Sequence, residues 1–415
     1  MLKQLEGSQG VAQAVALCRP NAICAYPISP QTHIVEALGR YVRSGSIKDC
    51  EFMNVESEFG AMSAVIGASA AGARSYTATA SQGLLFMTEA IYNASGLGLP
   101  IVMTVANRAI GAPINIWNDQ SDSLSQRDSG WLQLFAEDNQ EAVDLHIQAF
   151  KIAETLSLPV MVCMDGFVLT HALERMDIPE QSQVDQFLPP FAPRQILDPD
   201  DPVSIGAMVG PEAFTEVRCL QACRFRQALD VIPKVAGEFE AVFGRKSGGL
   251  LSCYRCEGTE TRVIAMGSCL GTIKDAVDEM REAGTAVGVV SLKSFRPFPY
   301  EAVAEALRGA KRVIVIDRTV TPGSRGVLGM EVASALGGSG AQVTTVIAGL
   351  GGRAITRRSL KETFLAAIDG RLPALYFMDL NKALVDRQLE REKKSWRVGP
   401  ANEEMVRDAA RQAGK

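Results

Sequence analysis

Residues 51–83, EFMNVESEFGAMSAVIGASAAGARSYTATASQG, constrain the fold more than any other stretch of the chain. Two acids, Glu56 and Glu58, come first. Small residues follow at helical spacing: Gly60, Ala64, Gly67, Ala68 and Ala71. Then come a β-prone run, Tyr76-Thr77-Ala78-Thr79, and the polar triplet Ser81-Gln82-Gly83. This order predicts a helix that begins at the acids, a strand, and a tight polar turn. So small a helix face lets another backbone or a ligand come close. The helix dipole by itself favours an acid at the N-terminus, so neither glutamate needs a chemical role on this ground alone.

The same alternation runs through the first 178 residues. A short helix with apolar body 10–17 precedes a compact strand at 22–26. Pro27-Ile28-Ser29-Pro30 ends that strand, because neither proline can continue a ladder. Thr32 is a candidate N-cap for the helix that follows. Ser29 therefore falls on a loop at the carboxyl end of a strand, where open α/β sheets bind ligands; the plainer role is to cap a turn. A helix is expected over 84–95 and an apolar, parallel-type strand over 100–106. Asn107 and Arg108 stand at the end of that strand. The polar segment 109–130 carries Asp119, Asp122, Arg127 and Asp128, and a structureless run of roughly 20 residues in a compact domain is usually functional. A helix over 138–156 and a strand over 158–164 complete an α/β unit with a mostly parallel sheet.

From 179 to 260 the pattern breaks into proline-rich extended pieces and a connector carrying one or two helices. Alternation resumes over 261–375, with strands expected at 263–267, 286–292, 312–317 and 342–348. The fold class is thus α/β, with two mostly parallel open-sheet domains. A charged, helical tail is expected over 376–415. Two glycine clusters, GSCLGT (267–272) and GLGGRAIT (349–356), sit where a phosphate loop would, yet match neither G-x-G-x-x-G nor a P-loop.

Charge and cysteines limit the partners. The net charge of −5 over 415 residues calls for neither nucleic acid nor an anionic membrane. No apolar run reaches the roughly 18 residues of a membrane span, and MLKQLEGSQG has no signal-peptide pattern. A cytoplasmic location is expected, with the nine cysteines as thiols. Cys18, Cys24, Cys50, Cys163 and Cys269 read as core. Cys219, Cys223, Cys253 and Cys256 form two pairs that could bind zinc, though no histidine supports the set. There is no four-cysteine ferredoxin-type run, so any iron–sulfur cluster must sit on another chain.

Taken together, Tyr26-Pro27-Ile28-Ser29-Pro30, Ser57-Glu58-x-Gly60, Thr79-Ala80-Ser81-Gln82-Gly83, Ala106-Asn107-Arg108-Ala109, Arg127-Asp128-Ser129-Gly130 and Arg296-Pro297-Phe298-Pro299 resemble the motifs of one family. It is the α subunit of 2-oxoacid:acceptor oxidoreductases of the pyruvate:ferredoxin type, and the resemblance covers about residues 1–370. It implies a pyrimidine-binding domain for thiamine diphosphate over 1–178, a connector over 179–260, and a transketolase C-terminal-like domain over 261–375. It implies oxidative decarboxylation of a 2-oxoacid to the acyl-CoA, with coenzyme A as co-substrate. The diphosphate and Mg²⁺ would be held by a β subunit, and iron–sulfur clusters by γ and ferredoxin-like δ subunits. Electrons would pass to ferredoxin or an NAD-linked acceptor.

The resemblance also implies roles. Glu58 is the carboxylate on the pyrimidine N1′, with Glu56 as fallback. Ser29, where the family often has threonine, and Arg108 bind the substrate; Arg108 supplies the planar fork a carboxylate requires. Pro27, Ser81 and Gln82 join Glu58 around the coenzyme. No Gly-Asp-Gly is present: Asp165-Gly166 follows Met164 and Asp369-Gly370 follows Ile368. Asp119-Gln120 replaces the commoner Asp-His, and with Trp117 it leaves an aryl 2-oxoacid such as phenylglyoxylate open beside pyruvate. A self-sufficient nucleotide-linked enzyme and a non-catalytic scaffold are the other classes weighed. Poor glycine fingerprints argue against the first, and the joint presence of Ser29, Glu58 and Arg108 against the second.

Overall fold

The structure, a computed structural model, describes residues 2–394 and 401–413. Residues 395–400 and 414–415 of the expected helical tail lie outside the described residues. The strands follow the chain as β1 (Leu2–Glu6), β2 (Ala22–Ala25), β3 (Glu51–Asn54), β4 (Ser75–Thr79), β5 (Val102–Asn107), β6 (Leu132–Phe135), β7 (Val160–Asp165), β8 (Leu173–Asp177), β9 (Leu251–Tyr254), β10 (Thr261–Ala265), β11 (Val287–Leu292), β12 (Ser294–Arg296), β13 (Arg312–Asp317), β14 (Gln342–Ile347) and β15 (Leu375–Phe377). A seven-stranded sheet has the order β12-β6-β7-β5-β4-β2-β3, and a six-stranded sheet the order β15-β14-β13-β10-β11-β9. Each is parallel except for one edge strand: β12 runs antiparallel to β6, and β9 to β11. β1 and β8 form a separate antiparallel pair.

The central strands β4, β5 and β7 are buried at every residue. That is why their sequences are continuous apolar or small runs rather than alternating ones. Helices Gly7–Leu17 and Asn139–Leu156 cover one face of the first sheet. The other face shares a core with the second sheet, in which Met62, Ile91, Met103 and Phe135 pack in one cluster with Ile264, Val290, Phe295 and Val313. Helices Cys269–Glu282 and Arg357–Ile368 cover the far face of the second sheet. The connector supplies helix Gln181–Phe187 and a 30-residue helix, Phe214–Phe243. The long helix buries only Ala228, Ile232, Val235 and Phe239. That one-sided spacing fits a helix lying on the surface of the first unit.

Several local expectations change. The helix expected over 84–95 is two helices, Ser81–Phe86 and Thr88–Leu97, so the polar triplet 81–83 is itself a first helical turn. Thr32 is the first helical residue of Thr32–Arg43, and Gln31 takes the N-cap without a side-chain bond. Glu56 lies outside its helix, which starts at Glu58 with Ser57 as the cap. β6, β9 and β12 are too short to carry a periodic signal. Two of them cross the expected divisions: β9 falls in 179–260 yet edges the second sheet, and β12 falls in 261–375 yet edges the first.

The two sheets are tied by a buried ion pair. Asp165, at the end of β7, meets Arg318, just after β13, at 2.6 Å, and both side chains are almost fully buried. The same Asp165 oxygen accepts the Ser268 N–H at 2.7 Å. Removing one partner of such a pair strands a buried charge. Arg318→Met is therefore expected to destabilise the fold by about 3–5 kcal/mol. Adding Asp165→Asn should restore part of the loss. Thermal melts of the single and double variants check this, and an unshifted Arg318→Met melt contradicts it.

Candidate active site

The strands of the first sheet diverge between β2 and β4. These two pair only at Ala22↔Ser75 and Ile23↔Tyr76, whereas β4 and β5 pair at four positions. The fully buried Gln31 fills the split, and its amide N–H groups donate to the Tyr26 and Ala78 carbonyls at 2.9 Å each. Sheet order reverses here: β3 lies on one side of β2, and β4, β5 and β7 on the other. The crevice outside the carboxyl ends of strands at such a switch point is the favoured ligand site of an open α/β sheet.

Glu58 opens helix Glu58–Ala70 beside this crevice. The Ser57 hydroxyl accepts the Gly60 N–H at 3.1 Å, which fixes the first turn. The Glu58 side chain is only 8% exposed. Among the described residues, its carboxylate has neither a hydrogen-bond donor nor a cation. Acids on largely buried residues are ordinarily paired; among the described residues Glu58 is not. Gly83 makes room for it: a Cβ there would lie 2.6 Å from Glu58 Oε1 and 2.7 Å from Thr79 Oγ1. The Thr77 and Thr79 hydroxyls beneath are also buried and unpartnered. Glu56, by contrast, is exposed and accepts the Ser57 hydroxyl at 3.0 Å. The fallback acid thus faces solvent.

Arg108 follows β5 and is half-buried, and desolvation pulls its pKa down against the opposing pull of Asp122. Nε donates to the Asn115 carbonyl at 3.1 Å, and Nη1 to the Ser29 carbonyl at 3.0 Å. Nη2 has no partner among the described residues. Neither Asp119 nor Asp122 pairs with the guanidinium, so a purely structural ion pair is not what holds it. The loop carrying Ser29 and the side chain of Arg108 thus meet at one point, where the exposed Ser29 hydroxyl is unengaged. Pro27 is exposed just beyond β2.

Asp122, in the sequence only one of several acids of the polar segment, organises this end of the sheet. Its fully buried carboxylate accepts the backbone N–H of Ser81, Arg108 and Ser123 and the Asn107 amide, all at 2.8–2.9 Å. Desolvation nevertheless raises its pKa to about 6. The clamp holds Ser81 in the left-handed region, at φ 48°, a conformation that persists only where the surroundings enforce it. Ser81 is fully buried, and its hydroxyl bonds the Ala109 carbonyl at 2.6 Å as well as the Gln82 side chain. It therefore ties the turn after β4 to the polar segment. Gln82 is half-buried above Gly111.

The polar segment 109–130 is pinned by the second unit. The Gly351 N–H donates to Asp119 at 3.0 Å and the Gly352 N–H to the Asn118 carbonyl at 2.8 Å. The Gln120 amide reaches the Met266 carbonyl at 3.2 Å. Both glycine clusters thus receive carboxylates of this chain, Asp165 at Ser268 and Asp119 at Gly351. They are occupied as anion sites by the protein itself, which removes the phosphate-loop reading. The zinc reading also lapses. Among the described residues no metal-type cluster includes Cys219, Cys223, Cys253 or Cys256.

Comparison with known proteins agrees with this arrangement. Residues 13–236 match the family described as pyruvate flavodoxin/ferredoxin oxidoreductase, thiamine diP-binding. Residues 259–360 match pyruvate:ferredoxin oxidoreductase core domain II. A pyruvate synthase subunit PorA from Methanosarcina barkeri is 49% identical over 390 residues, 92% of this chain and 97% of that one. PorA of Thermotoga maritima is 43% identical over 89% of this chain and 95% of its own. A ketoisovalerate oxidoreductase subunit VorA from Pyrococcus horikoshii is 41% identical, covering 86% and 92%. In fold, the chain resembles 2-oxoglutarate:ferredoxin oxidoreductase from Magnetococcus marinus (TM-score 0.67, 18% identity), covering 88% of this chain and spanning 65% of that one. It also resembles a split-gene transketolase (TM-score 0.54, 16% identity), covering 89% and 100%. The chain belongs to the pyruvate flavodoxin/ferredoxin oxidoreductase family, as a PorA-type subunit of a multi-subunit 2-oxoacid oxidoreductase.

Proposed function

We propose that this chain contributes the pyrimidine-binding half of a thiamine diphosphate site and the substrate-binding arginine of a pyruvate-oxidising, CoA-acylating complex. The observation that carries this reading is Glu58, a residue only 8% exposed whose carboxylate has no partner among the described residues, with Gly83 packed against it. It suits a heterocycle N–H, and the unengaged Thr79 hydroxyl lies beside it. Thiamine diphosphate, when bound, supplies the nucleophilic carbon for decarboxylation. Glu58 holds a proton on the facing ring nitrogen. Arg108 offers its free Nη2 to the substrate carboxylate, and the Ser29 hydroxyl donates to the carboxylate or the keto oxygen. Pro27 and Gln82 border the ring, and Ser81 acts through the loop it braces. Pyruvate is favoured over an aryl 2-oxoacid because Trp117 lies against Phe167, with ring centroids 5.0 Å apart and tilted, and packs over Gly352.

The rest of the complex completes the site. Asp165 is spent on Arg318 and Ser268, and Asp369 pairs with Arg371. Neither is left for the Mg²⁺–diphosphate, which we assign to a β subunit; iron–sulfur clusters belong to γ and ferredoxin-like δ subunits, with ferredoxin as acceptor. Exposed Phe59, next to Glu58 in the chain, and Phe86, whose ring lies 6.2 Å from that of Phe59, suit a covering partner. The free cysteines fit a cytoplasmic complex, and no described helix is long and apolar enough to cross a membrane. We further propose the division 1–178, 179–260, 261–375 and 376–415, with β9 and β12 crossing it.

Three measurements test this. In the assembled complex, Glu58→Gln should lower kcat by about 10²- to 10⁴-fold and slow exchange of the coenzyme C2 proton, with assembly intact; normal exchange removes Glu58 from the role. Arg108→Ala should cost roughly ten- to hundredfold in kcat/KM with exchange nearly normal, and Arg108→Lys should recover only part. A variant that melts early but turns over normally would leave Arg108 a merely structural part. The third concerns pH. The folded-state pKa of Asp122, about 6, lies above its ordinary 3.8, so the native state holds its proton longer than the unfolded chain. Stability is then full below about pH 4 and falls as pH rises to about 6. Relative to Asp122→Asn, the wild type should lose on the order of 3 kcal/mol across that window. Parallel melting profiles would contradict the buried-charge account.

A further inference from the structure

The chain has three histidines, and two of them converge with a glutamate outside the coenzyme crevice. Glu6 ends β1, His33 lies in the first turn of helix Thr32–Arg43, and His171 lies in the segment between β7 and β8. One donor atom from each lies within 4.8 Å of the other two, and all three residues are half-buried. His33 Nδ1 sits 2.6 Å from Glu6 Oε1. The two imidazole centroids lie 4.8 Å apart, the rings tilted by 34°. A Glu–His hydrogen bond accounts for Glu6 and His33, but leaves a second imidazole brought against them from a distant part of the chain.

We propose that Glu6, His33 and His171 form a binding site for one first-row divalent ion of the Zn²⁺ or Co²⁺ kind. Two imidazole nitrogens and one carboxylate oxygen are the donor set these borderline ions take, with the remaining position left to water. Tetrahedral Zn²⁺ holds its donors at about 2.0–2.2 Å. The observed spread closes with side-chain rotations of about an ångström, which half-buried groups can make. The supporting contacts also suit a ligand. His171 Nδ1 is 2.7 Å from Thr170 Oγ1, a fully buried hydroxyl fixed by accepting the Phe167 N–H at 2.8 Å. An oxygen at the second ring nitrogen is what orients a metal-binding imidazole. Phe167 packs on the other face of His171 at 4.8 Å, and Trp117 on Phe167. The ion would staple three segments: the end of β1, the first turn of helix Thr32–Arg43, and the loop after β7. None of these ligands serves the coenzyme reading, so the two proposals stand or fall separately.

Titration of the full chain with Co²⁺, followed by visible absorption and then Zn²⁺ displacement, tests the site. We expect one Co²⁺ per chain, displaced by Zn²⁺, with ligand-field bands but no near-ultraviolet thiolate charge-transfer band. His33→Asn and His171→Asn should each weaken binding by at least about tenfold, while Cys253→Ser leaves it unchanged. Zn²⁺ should raise the Tm of the wild type through mass action and leave both histidine variants unmoved. The Tm values without metal show whether those variants fold. Glu6→Gln, which keeps the shape of the acid, provides a third arm with the same expected loss. Absence of stoichiometric binding, a thiolate band, or affinity unchanged in both histidine variants overturns the proposal.

Discussion

Asp122 is the constraint on which the candidate active site rests. Its two oxygens accept four hydrogen bonds from donors after β4, at the end of β5 and in the polar loop. Burying a carboxylate is costly, and these short bonds offset the loss of water only because all the donors converge. That convergence sets the backbone at Ser81 and Arg108 together. Gly83 follows Ser81 by two residues, and its packing places Glu58. The positions of a cation and an acid from separate strands are thus referred to one buried group.

A second theme is how this chain uses its backbone anion sites. The N-terminus of helix Cys269–Glu282 and the glycine turn at 349–352 both present N–H groups of the kind that bind phosphate. Each receives an aspartate from the first unit instead. Carboxylates of one sheet's loops are therefore the ligands of the other sheet's loops. Arg318 completes the pattern by neutralising Asp165 where water is excluded. Glu58 is the contrasting case, an acid on a largely buried residue with no partner among the described residues.

Much of this could be read in the sequence. Continuous apolar runs located β5 and β7, and the prolines after β2 placed Ser29 on a loop at the strand end. The motif Ser57-Glu58-x-Gly60 singled out Glu58 over Glu56, and the cap geometry agrees, since Ser57 turns Glu58 into the helix and leaves Glu56 in water. What stayed hidden depends on contacts distant in sequence. Asp122 looked like one acid among several in a polar stretch, because three of its four donors come from two other segments, Ser81 after β4 and Asn107-Arg108 at the end of β5. The glycine clusters looked like phosphate loops, because the aspartates that fill them lie more than 100 residues away. β9 and β12 are sheet edges and β6 lies between β12 and β7, and strands of three or four residues carry no periodicity. Glu6, His33 and His171 gave no motif, since they meet only once the β1–β8 pair has formed beside the first sheet.

The attachment of segment 109–130 to the second sheet bears on modularity. Asn115, Asn118, Asp119 and Gln120 direct their polar groups to Gly351, Gly352 and Met266. β12, from the second half of the sequence, closes the edge of the first sheet. The two halves look like tandem cassettes, yet neither is a self-contained part. Divided between β9 and β10, the chain would leave the loop that shelters Arg108 without its scaffold and expose β6 as a raw sheet edge. Recombination that exchanges the second half must therefore preserve these anchor points, or the exchange will reach Arg108 without changing any residue that touches it.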